Sequence, residues 1–289
     1  MRAPLFLKRR VRHIMEDISI DGQQISEATI YAVETASSYA DSGIHIALAA
    51  ERVGEFLGIP LTNTLITSWI VMAILFTIAF FVGRNLKMIP GRVQTLFEEM
   101  LNFILNYMTE VLEDGKLARK LFPFITTLFL FIFASNVLEF TPGIGSIGFI
   151  EQSSHGGEAF TPLLRSVNTD LNVTLALAVI AFIVIEVVGV ATLGIMKYAS
   201  KFLNFKSVIG FLVGIIELFS EVARLISFSF RLFGNILAGE VLIVVIMFFV
   251  PYLVPVPMML FEVFVGLIQA AIFALLTLFF IKIAITEPH

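Results

Sequence analysis

Two stretches of this chain, Thr64 to Gly83 and Leu121 to Leu138, carry no charged residue at all. Each is close to the ~20 residues that an α-helix needs to cross the ~30 Å hydrocarbon core of a bilayer. With 58% of the 289 residues hydrophobic and 15% charged, the chain lies outside the range of ordinary soluble domains. The sequence therefore predicts an all-α, multi-pass membrane protein with about five spans. Residues 1–60 read as an N-terminal extramembrane or interfacial segment. Residues 61–289 read as the membrane domain, with spans at about 63–83, 121–140 and 172–196 and a long, strongly tilted helical hairpin made of 207–250 and 258–285.

Between the spans the pattern changes. Ile44 to Leu57 is amphipathic and is expected to lie flat at a membrane surface, ending at Pro60. From Pro90 to Gly115 the apolar residues Phe97, Leu101, Ile104, Met108 and Leu112 recur at helical spacing opposite polar ones, which predicts an interfacial helix. Residues 143–170 read as a Gly- and Ser-rich polar loop. Ser207 to Val250 is helix-compatible for ~66 Å, about twice the hydrocarbon thickness, so it must be tilted or broken. Pro251, Pro255 and Pro257 mark a tight reversal.

Lysine and arginine cluster at Arg84, Lys87, Arg92, Lys116, Arg119 and Lys120 and again at Lys197, Lys201 and Lys206, whereas the 141–171 loop has only Arg165. This bias places the first two groups in the cytoplasm, the C-terminus inside and the N-terminus outside. The basic cluster Lys8, Arg9, Arg10 and Arg12 is followed by polar and acidic residues rather than an apolar core, so it does not read as a signal peptide. It also lacks the interleaved aromatics of a nucleic-acid surface, and no nucleic acid is expected.

The chain has no cysteine, which excludes iron–sulfur clusters and thiolate metal sites. Its histidines, His13, His45, His155 and His289, all fall outside the spans, so haem ligation and a membrane metalloprotease are excluded. No P-loop and no pair of intramembrane aspartates is present. Neither catalytic residues, nor a cofactor, nor a metal are expected.

What remains is a set of charges where charges are costly. Glu217, Glu221, Arg224, Arg231 and Glu240 lie in the 207–250 segment; at ~3 kcal/mol each they would cost ~15 kcal/mol, comparable to the gain from roughly 25 apolar neighbours. The first four, with Ser220, Ser227 and Asn235, form one polar stripe. Glu240 falls on the opposite face, ~13.5 Å beyond Arg231. Glu217, Glu221 and Arg224 can neutralise one another at helical spacing. Arg231 has no acid at i±3 or i±4, and its guanidinium does not give up its proton. In the last helix Glu262 and Gln269 share a face, with Gly266 between them permitting close helix approach. With Glu186 in the third span, these groups suggest a proton path with an electrostatic barrier.

Ile226-Ser-Phe-Ser-Phe-Arg-Leu-Phe-Gly-Asn-Ile-Leu-Ala-Gly-Glu240 resembles the signature of subunit a of the bacterial F-type ATP synthase. Ile59 to Leu65, Phe122 to Leu130, Asn136 with Pro142-Gly143, Thr169 to Thr174 and Leu267 to Phe273 resemble further blocks of that family in the same order. The resemblance implies a proton-translocating stator that couples ion flow to rotary ATP synthesis through two offset half-channels. It is not catalytic alone. Its implied partners are a ring of c subunits, the b subunits of the peripheral stalk, the remaining synthase subunits and the lipid bilayer, and its place is the bacterial inner membrane. By the same resemblance Arg231 is the essential arginine facing the ring. Asn235, Glu240, Glu262 and Gln269 match the half-channel from the outer side, Ser227 and Glu217 match positions toward the cytoplasmic exit, and Asp170 and Asn172 match polar positions at the mouth of a span. Many members carry one histidine and one glutamate where this chain has Glu240 and Glu262. The competing reading, a self-contained ion transporter with a buried ion pair, predicts inverted repeats, and none is evident.

Overall fold

The computed structural model describes residues 50, 52–56, 59–84, 87, 91–140, 148–152, 158–202, 208–250 and 253–286. The basic N-terminal cluster, residues 44–49 of the amphipathic stretch, Pro142-Gly143 and Pro251 lie outside them.

The chain enters through an antiparallel hairpin, β1 (Arg52–Phe56) and β2 (Ile59–Thr62). The described part of the amphipathic stretch is thus a strand, because Phe56 pairs with Ile59 and Arg52 with Thr62. Helix α1 (Asn63–Arg84) follows at once. Thr62 accepts the Leu65 backbone N–H at 3.3 Å, satisfying one of the donors that every helix start leaves open.

Helix α2 (Arg92–Leu112) is the amphipathic helix expected from the sequence. It buries Met108 and Leu112 and leaves Leu96 and Phe103 exposed. It ends where Glu113 adopts the left-handed conformation (φ 56°), a common helix stop. The next residue, Asp114, caps α3 (Gly115–Glu139), accepting from the backbone N–H of Lys116 at 2.8 Å and of Leu117 at 3.2 Å. Those two hydrogen bonds hold the Asp114 carboxyl below its ordinary range.

The polar loop after α3 contains a second hairpin that the sequence pattern did not reveal, β3 (Gly148–Gln152) with β4 (Glu158–Pro162). Helix α4 (Leu171–Leu193) stops at Gly194, whose φ of 81° suits glycine. A short helix α5 (Ile195–Phe202) leads to α6 (Val208–Phe249), 42 residues long. It is unbroken, and at 1.5 Å per residue it measures about 63 Å, so it can lie within a membrane only at a steep tilt. Helix α7 (Pro255–Ile285) closes the bundle. Pro255 and Pro257, expected within the reversal, lie in its first turn, where a missing N–H costs no helical hydrogen bond.

Five of these helices, α1, α3, α4, α6 and α7, are long and apolar enough to cross a membrane. Helix α7 packs along α3 and α4, and α4 packs along α6. Small residues set the spacing: a Cβ on Gly266 of α7 would come 2.9 Å from the Asn136 Cβ of α3. The helices alternate in direction, so the bundle has two ends. The hairpin end gathers both hairpins, the start of α1 and α4 and the finish of α3. The basic end carries Arg84, Lys116, Arg119 and Lys120. There, Lys282 of α7 reaches the Leu112 carbonyl and the Glu113 carboxylate, each at 3.3 Å.

Candidate functional site: a buried carboxylate path and an outward arginine

The start of α1 presents Asn63, Thr64, Thr67 and Ser68, all buried. Buried polar groups need partners, and these find them in the segment before α4. Thr64 donates to Asp170 at 2.9 Å, Asn63 donates to the Pro162 carbonyl at 3.3 Å, and the Arg165 backbone N–H donates to Thr67 at 3.2 Å. These bonds clamp residues 162–170 onto α1 and fix the side chains that the segment carries.

Asp170 is 4% exposed and committed: besides Thr64 it accepts from the Asn172 backbone N–H at 2.9 Å and side-chain amide at 3.0 Å. Both residues thereby build the N-cap of α4. From the same segment Ser166 donates to Glu139 at 2.8 Å, and Asn168 donates to Asn136 at 2.6 Å. Asn136 in turn donates to the Gly266 carbonyl on α7 at 3.0 Å. The line from loop to α3 to α7 is continuous.

Helix α7 contributes Glu262 and Gln269, each 6% exposed. The Glu262 carboxylate lies against the α6 backbone at Gly239, so closely that no Cβ fits there. Glu240 is the next residue on α6. Glu139 lies within the electrostatic reach of Glu240, Glu262 and Arg165, and Glu240 within that of Arg165. Three carboxylates and one buried guanidinium thus share the hairpin-end half of the bundle. Glu240 Oε2 and Gln269 Nε2 are buried with no hydrogen-bond partner among the described residues. A buried polar atom left without a partner is costly, and each of these atoms has bonding capacity for one further partner.

Arg231 stands elsewhere. It lies mid-way along α6, exposed, and donates to Ser227 one turn earlier at 3.3 Å. Among the described residues no carboxylate forms a salt bridge with it. Ser227 is exposed on the same surface, Asn235 is half-buried one turn further on, and Glu217 is half-buried fourteen residues back.

The basic end holds a different polar group. Arg224 bonds Glu221 at 2.7 Å and lies 4.1 Å from the ring centre of Phe280 on α7. Tyr198 of α5 donates to Glu186 of α4 at 2.9 Å. Burial, and donation to Glu186, push the Tyr198 hydroxyl above its ordinary range.

The structure sets Glu262 against α6 at Gly239, one residue before Glu240, with Gln269 two turns along α7 and likewise buried. It places Arg231 and Ser227 on an outer surface and spends Asp170 and Asn172 on a helix cap. It adds Glu139 and Arg165 to the acids, with Ser166, Asn136 and Asn168 as connectors. Glu139 is the last residue of a span and Arg165 the one base of a long loop, but nothing in their sequence neighbourhood aims them at α6.

The fold and this site define a multi-pass, ion-translocating membrane protein. The family model described as ATP synthase A chain matches residues 65–282, and the chain belongs to that family. It is 31% identical to "ATP synthase subunit a" of Moorella thermoacetica, over 77% of this chain and 90% of that one. It is 32% identical to "ATP synthase subunit a" of Syntrophobacter fumaroxidans, over 86% and 94%. It is also 32% identical to "ATP synthase subunit a, sodium ion specific" of Propionigenium modestum, over 83% and 80%. Its role is that of the proton-translocating stator of the F-type ATP synthase membrane sector, and it is a member of that complex. The self-contained transporter is not favoured.

Proposed function

We propose that Arg231 is the barrier between two offset half-channels, and that it works against a carboxylate on a rotating ring of c subunits. The observation that carries this reading is the outward placement of a guanidinium on a membrane-crossing helix with no described acid in reach. A permanent positive charge at that depth calls for an anion, and one supplied by a passing subunit would be drawn in, stripped of its proton and released as the ring turns.

In this reading protons enter from the outer side through Glu262, Glu240, Gln269 and Asn235, past a mouth framed by Asp170 and Asn172. They leave toward the cytoplasm by Ser227 and Glu217. The chain performs no phosphoryl chemistry itself. The b subunits of the peripheral stalk hold it against the ring in the bacterial inner membrane, with its N-terminus outside and C-terminus in the cytoplasm. Residues 1–60 form an extramembrane or interfacial segment and 61–289 the membrane domain.

The test is ATP-driven acidification of inverted vesicles carrying the whole complex. Arg231→Ala is expected to abolish pumping while the complex still assembles, and to open a passive proton leak once the catalytic head is stripped off. Pumping near the native rate would sink the proposal.

A further inference from the structure

Arg165 is 7% exposed, and it is held in place from both sides. Its own backbone N–H is bonded to Thr67 of α1 at 3.2 Å, and the next residue, Ser166, is bonded to Glu139 of α3 at 2.8 Å. A guanidinium buried at this depth cannot lose its proton, and it is tolerable only among acids. Among the described residues, Glu139 of α3 and Glu240 of α6 lie within its electrostatic reach, and Glu262 of α7 lies within that of Glu139; Asp170 at the head of α4 is taken up by its cap, and α1 faces the segment with the neutral Asn63, Thr64 and Thr67.

Glu139 shares its surroundings with Glu240 and with Glu262, and carboxylates that share a medium of low polarity cannot all be ionised, because like charges there repel strongly. With no cation, all three would tend to hold protons, and a chain of fully protonated acids has no acceptor. One fixed positive charge changes the count. It keeps about one carboxylate of the three ionised, so that a proton arriving from outside finds a base beside acids already loaded.

Building on the half-channel reading above, we infer that Arg165 is a positioning residue of the outer proton path, a fixed counter-charge that keeps one member of the Glu139–Glu240–Glu262 cluster ionised and ready to accept a proton.

The experiment measures passive proton conductance of head-stripped inverted vesicles, whose lumen corresponds to the outer side, as a function of luminal pH, for complexes carrying Arg165→Gln or Arg165→Lys. For Arg165→Gln, conductance at neutral pH is expected to fall about tenfold, and the pH of half-maximal conductance to move about one unit toward alkaline, the equivalence that titration demands. Arg165→Lys keeps the charge and is expected to keep the native pH profile. A purely structural arginine would lower the amount of complex without moving that profile. Arg165→Gln conducting with the native profile overturns the inference. If Arg165→Gln fails to assemble, Arg165→Lys decides: a native profile supports the counter-charge, and a shifted profile overturns it. Arg231→Ala in the same preparation separates the two proposals, since loss of pumping there with an unmoved profile in Arg165→Gln rejects only the role of Arg165.

Discussion

At the basic end of the bundle Glu221 lies 2.7 Å from Arg224, and Glu186 accepts from Tyr198 at 2.9 Å. At the hairpin end Glu139 and Glu240 lie within reach of Arg165, Glu262 lies within reach of Glu139, and three buried polar atoms, on Asn168, Glu240 and Gln269, have no hydrogen-bond partner among the described residues. Both groups are costly to insert in a membrane. At the basic end Arg224 neutralises Glu221 and joins α6 to α7 through Phe280, while the Tyr198 hydroxyl donates to Glu186 and joins α5 to α4. The hairpin-end acids outnumber the one cation shown within their reach, and in the proposed half-channel that imbalance is the room for a moving proton. Completeness of pairing thus separates charges that hold the fold from those proposed to carry ions.

The comparison breaks most decisively if the unbalanced acids prove dispensable. Replacing both Glu240 and Glu262 by Gln is expected to lower ATP-driven pumping by roughly 10²-fold or more, the scale of a positioned proton-transfer group, with assembly intact by complex recovery. Either single substitution is expected to leave partial activity, because the remaining acid can still relay.

A second test sharpens the other side. Arg224→Leu takes the guanidinium away from Glu221, which is 3% exposed, and is expected to cost up to about 3–5 kcal/mol in stability, the scale of breaking a buried ion pair. Thermal unfolding of the purified complex would report it. The double replacement Glu221→Leu with Arg224→Leu should recover most of the loss and retain pumping; loss of pumping in a stable double variant would move this pair into the ion path.

Smaller effects follow. Gly266→Ala would press a methyl against Asn136 and is expected to cost about 1–3 kcal/mol by overpacking, weakening the α3–α7 contact that carries the Asn168–Asn136–Gly266 line. The least effect is expected from the exposed cap of α3. The Asp114 carboxyl is held below its ordinary value of 3.8, so its contribution is fully present above pH 3.8 and fades only as the pH falls through the lower value of the folded protein. Asp114→Asn should leave pumping at neutral pH unchanged and shift only the acid limb of a denaturation profile.

Much of this was legible beforehand because membranes impose simple rules. Charge-free stretches of span length located α1 and α3, an apolar run broken only by Glu186 located α4, and the helical period from Phe97 to Leu112 located α2. The isolation of Arg231 from any acid at helical spacing marked it as a charge in need of an external partner. The hairpins β1–β2 and β3–β4 escaped because their strands are short and their pairing is settled by contact rather than by pattern. Asp170 showed only as a polar residue at the mouth of a span; its cap bonds to Asn172 are local, but its bond to Thr64 required the chain to fold back over 106 positions.

By itself the sequence determined the class of the protein, its spans, the improbable length of α6 and the position of the arginine, since each follows from apolar length or from the cost of a charge along one helix. Tertiary structure alone decided which acids meet. Glu139, Arg165, Glu240 and Glu262 come from three helices and a loop, and their grouping depends on the close approaches at Gly239 and Gly266 and on the clamp of residues 162–170 onto α1. Local propensity carries no information about such distances, which only the packing of the whole bundle sets.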